Sequence, residues 1–120
     1  MSKVKTINIA LIGYGFVGKT FHAPLIQSVD GLKLAVVSSR DEEKVKRDLP
    51  DVQVVATPEE AIQHPEVDLV VIASPNATHA PLATLALNSG KHVVVDKPFT
   101  LDMQEARDLI ALAQEKQRLL

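Results

Sequence analysis

Three glycines, Gly13, Gly15 and Gly18, stand two and then three residues apart in the stretch IGYGFVGKTFHAP. Lys19, the hydroxyl of Thr20 and His22 follow them. Glycines at this spacing let backbone N–H groups face an anion, and a helix starting just behind them adds a favourable dipole. Two chemistries compete for the motif. GYGFVGKT matches G-x-x-x-x-G-K-[ST], the cradle of a nucleoside triphosphate. Gly13-Tyr14-Gly15-Phe16-Val17-Gly18 also matches G-x-G-x-x-G, which holds the pyrophosphate of a dinucleotide. Gly15 is a glycine the triphosphate pattern does not require, and VIASPN, further along, offers no Asp for magnesium. Both observations favour the dinucleotide. Gly13 then makes the tight turn, Gly15 admits the pyrophosphate and Gly18 lets helix and strand pack closely. Lys19 and Thr20 become helix residues behind the loop. The bland alternative is a tight turn with no ligand.

Three further polar clusters could read the rest of such a ligand. In VVSSRDEEK, Ser38 and Ser39 occupy the place where an acid would accept bonds from a free ribose 2′-hydroxyl, and Arg40 follows. Two hydroxyl donors and a guanidinium suit a 2′-phosphate, which a carboxylate would repel. NADP is therefore expected ahead of NAD, with Asp41 keeping an NAD reading open; the alternative is a solvated helix start in which Arg40 pairs with Asp41 or Glu43. The second cluster is SPNATHAP, with Ser74, Pro75, Asn76 and His79, and the third is DKPFT, with Asp96 and Lys97. Asn76 could equally cap a helix. His79, taken alone, reads as a surface histidine in a first helical turn. Lys97 could hydrogen-bond a substrate hydroxyl and ease its deprotonation, or simply pair with Asp96 at the surface.

These residues need elements to hold them. TINIALI (6–12) reads as a buried strand ending in the glycine turn. A helix should follow, broken by Pro24 into a segment ending near His22 and another over 24–29. LKLAVVS is the second strand, DEEKVKRDL a charged helix and VQVVA a third strand. Thr57, Pro58 and Glu60 mark a helix start with a capping box. VDLVVIA (67–73) and KHVVVD (91–96) are strands four and five. ATHAPLATLALNSG between them is a helix ended by Gly90. A last helix starts at Asp102, with Met103, Ala106, Leu109, Ile110 and Ala113 as its apolar face. Such alternation means a doubly wound parallel sheet, here of Rossmann type with order 3-2-1-4-5.

The composition agrees. The 120 residues suit a single domain, with 46% hydrophobic and only 3% aromatic residues, so Val, Ile, Leu and Ala must build the core. A net charge of −2 argues against a nucleic-acid or membrane-surface partner. With no Cys, thiol catalysis and thiolate metal sites are excluded, and no metal site is expected. The N-terminal apolar run is too short for a signal peptide, so a cytoplasmic setting is expected.

GYGFVGKTFHAPLI, VIASPNATH and GKHVVVDKPFT, in that order, resemble the N-terminal domain of the Gfo/Idh/MocA oxidoreductases across essentially the whole chain. The FHAPL segment and the SSR strand end resemble the NADP-using, scyllo-inositol dehydrogenase-like subgroup. The resemblance implies NAD(P)-dependent oxidation or reduction of a sugar, inositol or related polyol. It implies a catalytic Lys97, and a cofactor set of Gly13, Tyr14, Gly15, Phe16, Val17, Ser38, Ser39, Arg40, Ser74, Pro75, Asn76, His79, Asp96 and Lys97. Asp96 stands where Glu is commoner in the family, a mild change because either carboxylate accepts hydrogen bonds. The family's substrate domain, with its catalytic Asp and His and its oligomer interface, and the sixth strand are expected to be missing from 1–120, so His22 is not that histidine. The isolated domain is then expected to bind cofactor without turnover, and its fifth strand to be an exposed edge that favours a homo-oligomer. A non-enzymatic NAD(P)-sensing module is the other reading, because the fold serves regulators too.

Overall fold

The computed structural model describes residues 6–14, 22–73, 78–95 and 103–118. Five strands and five helices alternate: β1 (Ile7–Ile12), α1 (Ala23–Ser28), β2 (Leu32–Ser38), α2 (Glu42–Asp48), β3 (Gln53–Val55), α3 (Pro58–Ile62), β4 (Leu69–Ile72), α4 (His79–Asn88), β5 (His92–Val95) and α5 (Met103–Lys116). The sheet is parallel throughout, in the expected order β3-β2-β1-β4-β5. The expected elements that fall in the described residues are present, and where their ends can be compared they lie within a residue or two of expectation. The expected helix segment before His22 lies outside the described residues. His22 itself has helical backbone, and Pro24 sits in the first turn of α1, where a missing N–H costs nothing. No helix among the described residues is long and apolar enough to cross a membrane.

The apolar run of β1 serves two cores, because successive side chains leave a strand on opposite faces. Ile9 and Leu11 join Val37, Val45 and Ile26 on the side of α1 and α2. Ala10 and Ile12 join Val36, Val70, Ile72 and Val93 on the side of α3, α4 and α5. A central parallel strand has no solvent face, so continuous hydrophobicity, rather than alternation, is its signature.

Three helix ends show how local chemistry sets boundaries. Asp41 caps α2 by accepting from the Lys44 N–H (3.0 Å), with Glu42 and Glu43 in the first turn and Lys46 and Arg47 in the last, as the helix dipole favours. Thr57 accepts from the Glu60 N–H (3.3 Å), while the Glu60 carboxylate accepts from the Thr57 hydroxyl (3.0 Å). The capping box thus closes through the hydroxyl. Helix α4 ends in a Schellman turn: Gly90, at φ +80°, donates to Leu87 O, and Lys91 donates to Ala86 O (3.0 Å each).

Two expectations need correction. Met103 and Ile110 are 71% and 48% exposed, so they leave the expected apolar face of α5. Leu109 and Ala113 are the buried residues of that helix, with Leu112 packed beside them. Ile110 is rotated about 100° from Leu109 and passes the edge of this narrow stripe. His79 is buried, with 1% exposure, instead of lying at the surface. Its helix packs against α3, α5, β4 and β5 at once, which leaves a first-turn side chain little solvent to reach.

Helix α5 ends in the same Schellman pattern as α4, with Arg118 N–H to Ala113 O (3.0 Å), but its left-handed residue is Gln117 at φ +56°. A side chain in that region costs roughly 1–2 kcal/mol, partly offset by glycine's larger loss of entropy. Gln117→Gly should therefore stabilise the chain by about 0.5–1 kcal/mol in urea unfolding. Gly90→Ala should cost about 1–2 kcal/mol, and from the backbone alone, because the added Cβ would meet Arg118 Nη2 at an unstrained 3.9 Å. A neutral Gly90→Ala would show that the left-handed turn is not what ends α4.

Candidate functional site

The carboxyl ends of four strands are tied level by backbone hydrogen bonds. Gly13 N–H donates to Ser38 O (3.1 Å), Ala73 N–H to Ile12 O (2.9 Å) and Ser39 N–H to Val55 O (3.1 Å). Gly13 turns the chain out of β1 at φ +92°, a conformation open to glycine at little cost. Ligands in open parallel sheets bind beyond these strand ends, where the strand order reverses. Here that point lies between β1 and β4, whose neighbours run to opposite sides.

A cavity of about 540 Å³ opens at this level, walled by Gly13 and Tyr14 on one side and by Ser38, Ser39, Arg40 and Asp41 on the other. Ile12, Ala56 and Pro58 line it too, with Thr78 and Leu82 from the start of α4 and its second turn. Sequence reasoning missed these apolar and helical contributors, because nothing local marks a residue that reaches a strand end from another layer. Ser38 is buried and Arg40 exposed. Ser39 Oγ accepts from the Asp41 N–H (3.1 Å), which leaves its O–H as a donor. The Asp41 carboxylate is engaged with the Lys44 N–H. The wall therefore offers hydroxyls and a guanidinium, while its one carboxylate caps a helix.

Tyr14 is buried among Val37, Val45 and Ile26. Its hydroxyl donates to Asp48 Oδ2 (2.9 Å), and the Lys44 ammonium sits 5.7 Å from the ring centroid. Burial, then the Asp48 bond and charge, push the phenol up to about 12. His79 lies buried in the first turn of α4. Of the expected site residues, Gly15, Phe16, Val17, Ser74, Pro75, Asn76, Asp96 and Lys97 lie outside the described residues.

A second cavity, of about 610 Å³, sits at the opposite end of the sheet around Asp68, Lys91, His92 and Arg118. Its charges hold the chain together. Asp68 accepts from the Asn8 N–H (2.9 Å), Lys91 Nζ donates to His64 O (2.9 Å) and Val67 O (2.6 Å), and Arg118 Nε donates to Gly90 O (2.7 Å). Burial lowers the Lys91 ammonium's pKa, with Asp68 opposing. Among the described residues no group of three or more His, Asp or Glu side chains could hold a metal ion.

Comparison with known proteins gives this geometry its context. Residues 7–120 match the Gfo/Idh/MocA family model, described as an oxidoreductase family with an NAD-binding Rossmann fold. The uncharacterized oxidoreductase YdgJ of Escherichia coli is 56% identical over 95% of the chain, and scyllo-inositol 2-dehydrogenase (NADP(+)) IolW of Bacillus subtilis is 37% identical over 98%. The crystal structure of an oxidoreductase from Klebsiella pneumoniae superposes with a TM-score of 0.95 at 87% identity, over 96% of the chain and 34% of that protein. The chain spans 33% of the length of each of the two sequence relatives. A glycine turn at the right strand end, a switch-point cavity and a match over nearly every residue converge: the chain belongs to the Gfo/Idh/MocA oxidoreductases and carries their NAD(P)-binding Rossmann fold.

Proposed function

We propose that this chain is the cofactor-binding part of an NADP-dependent oxidoreductase acting on a sugar, inositol or related polyol. The observation that carries the cofactor preference is the wall of the 540 Å³ cavity. Ser38, Ser39 and Arg40 line it, and the nearby Asp41 carboxylate accepts from the Lys44 N–H through one of its oxygens. An NAD-specific site wants a carboxylate free to accept from the ribose; a 2′-phosphate wants donors and a cation. The NADP(+) in the name of the Bacillus subtilis relative agrees, and the inositol in that name supports the polyol reading.

The nicotinamide, when bound, supplies the hydride acceptor or donor. The chain's own residues then bind, orient and handle a proton. Gly13 and the rest of the glycine loop hold the pyrophosphate. Ser74, Pro75 and Asn76 follow β4 and would lie along the nicotinamide, while His79, buried in the first turn of α4, would act only from behind that segment. Lys97, just beyond β5, would hydrogen-bond the substrate hydroxyl and accept its proton as the carbinol hydrogen leaves as hydride. A cytoplasmic setting and a homo-oligomer belong to the same proposal. For the oligomer the support is β5, an edge strand with Val94 44% exposed.

Side-by-side titration with NADPH and NADH should show NADPH bound at least about tenfold more tightly, since one charge-assisted bond to phosphate is worth roughly 1.5–3 kcal/mol. Arg40→Ala should remove most of that difference while leaving NADH binding nearly unchanged. Equal affinity for the two nucleotides in the unmutated chain would sink the NADP assignment. In the full-length protein, Lys97→Ala should lower kcat by about 10²–10⁴ with cofactor affinity retained. Full turnover in that variant would remove Lys97 from the chemistry, whereas nucleotide binding without turnover in the unmutated full-length protein would favour the sensing alternative.

A further inference from the structure

A G-x-G-x-x-G turn asks nothing of the side chain between its first two glycines, yet this chain places its single tyrosine there. Tyr14 is 6% exposed, and its ring packs into the core beneath α2. Its hydroxyl reaches 34 residues along the chain to Asp48, the last residue of that helix. A carboxylate is the wrong charge for a helix C-terminus, where the dipole favours cations. Lys46 and Arg47 obey that preference in the same turn, and Asp48 departs from it.

The two walls of the nucleotide cavity are thereby joined twice. The first joint is backbone, from Gly13 N–H to Ser38 O (3.1 Å). The second is Tyr14 to Asp48 (2.9 Å), with Lys44 of the same helix over the ring. We infer that Tyr14 and Asp48 are positioning residues for the dinucleotide: their hydrogen bond clamps the glycine turn to the helix behind Ser38-Ser39-Arg40, and so sets the distance between pyrophosphate and ribose subsites before the ligand arrives. The inference rests on the dinucleotide reading above. A preorganised site spends less binding energy on ordering its walls.

The state of Tyr14 can be followed by absorbance, because the sequence has one tyrosine and no tryptophan. At about pH 10.5 the folded chain should show little phenolate absorbance, whereas the urea-unfolded chain, with an ordinary tyrosine pKa near 10, should show mostly phenolate. Asp48→Ala should raise the phenolate fraction at that pH above that of the unmutated folded chain but below that of the unfolded chain, because burial, the larger cause of the shift, remains. At neutral pH and well below the melting temperature, Tyr14→Phe and Asp48→Ala should each raise the Kd for NADPH about five- to tenfold. The Kd for NADH should rise in the same proportion, because the clamp sets spacing and not 2′ recognition. Asp48→Asn, whose amide oxygen still accepts from the phenol, should stay within about twofold of the unmutated chain. Unchanged affinity in both Tyr14→Phe and Asp48→Ala, with only a lowered Tm, would overturn the inference and leave the bond a structural one. If Tyr14→Phe does not fold, the exposed Asp48 variants carry the test. An unmutated chain that binds neither nucleotide would overturn the dinucleotide reading and this inference together, a result distinct from normal binding that ignores the clamp.

Discussion

The bond from Gly13 N–H to the Ser38 carbonyl sets the geometry on which the rest of the site depends. It is made at the point where β1 ends and the chain turns at φ +92°. Without it, the glycine turn after β1 and the carboxyl end of β2 would have no common origin. With it, the glycine turn and the Ser38-Ser39-Arg40 cluster stand on adjacent strands at one level, as walls of one cavity. The matching bond from Ala73 to Ile12 brings β4 to the same level from the other side. The switch point is thus a consequence of strand order, with β2 on one side of β1 and β4 on the other, and burial on both faces of β1 makes it the centre of both cores.

That burial explains why the core can be so poor in aromatic residues. Parallel strands sandwiched between helices are filled by branched aliphatic side chains, and Ala on α4 lets that helix approach α3, α5 and two strands. The one tyrosine is an exception with a task. It is buried where a helix must be pinned to a turn, and its hydroxyl finds a carboxylate as a buried polar group must. The charged side chains at the opposite end of the sheet do comparable structural work, holding loop carbonyls and strand starts in place.

Family membership and site geometry bear on different questions. The match over residues 7–120 concerns fold and cofactor class. The arrangement of Asp41, exposed beside Arg40 and capping α2, bears on which dinucleotide fits. A reader of the sequence sees an acid one residue beyond Arg40 and must leave NAD open. The structure assigns one oxygen of that acid a backbone N–H partner at the start of α2.

Much of the fold was legible in the residues because its determinants are local. The strand runs, the Thr57-Pro58-Glu60 helix start, Gly90 as a stop signal and the alternation of elements each rest on backbone chemistry within a few positions, and together they dictate a doubly wound parallel sheet with order 3-2-1-4-5. The glycine motif was legible for the same reason. What only the tertiary structure decided depends on neighbours distant in sequence. His79 was buried by two neighbouring helices and two strands meeting at α4, and Met103 and Ile110 were left exposed by a stripe narrower than helical periodicity suggests. Tyr14 found a partner 34 residues away. Spacing encodes which residues share a turn or a face; which faces find a cover, and which polar groups meet, is settled only when the layers close.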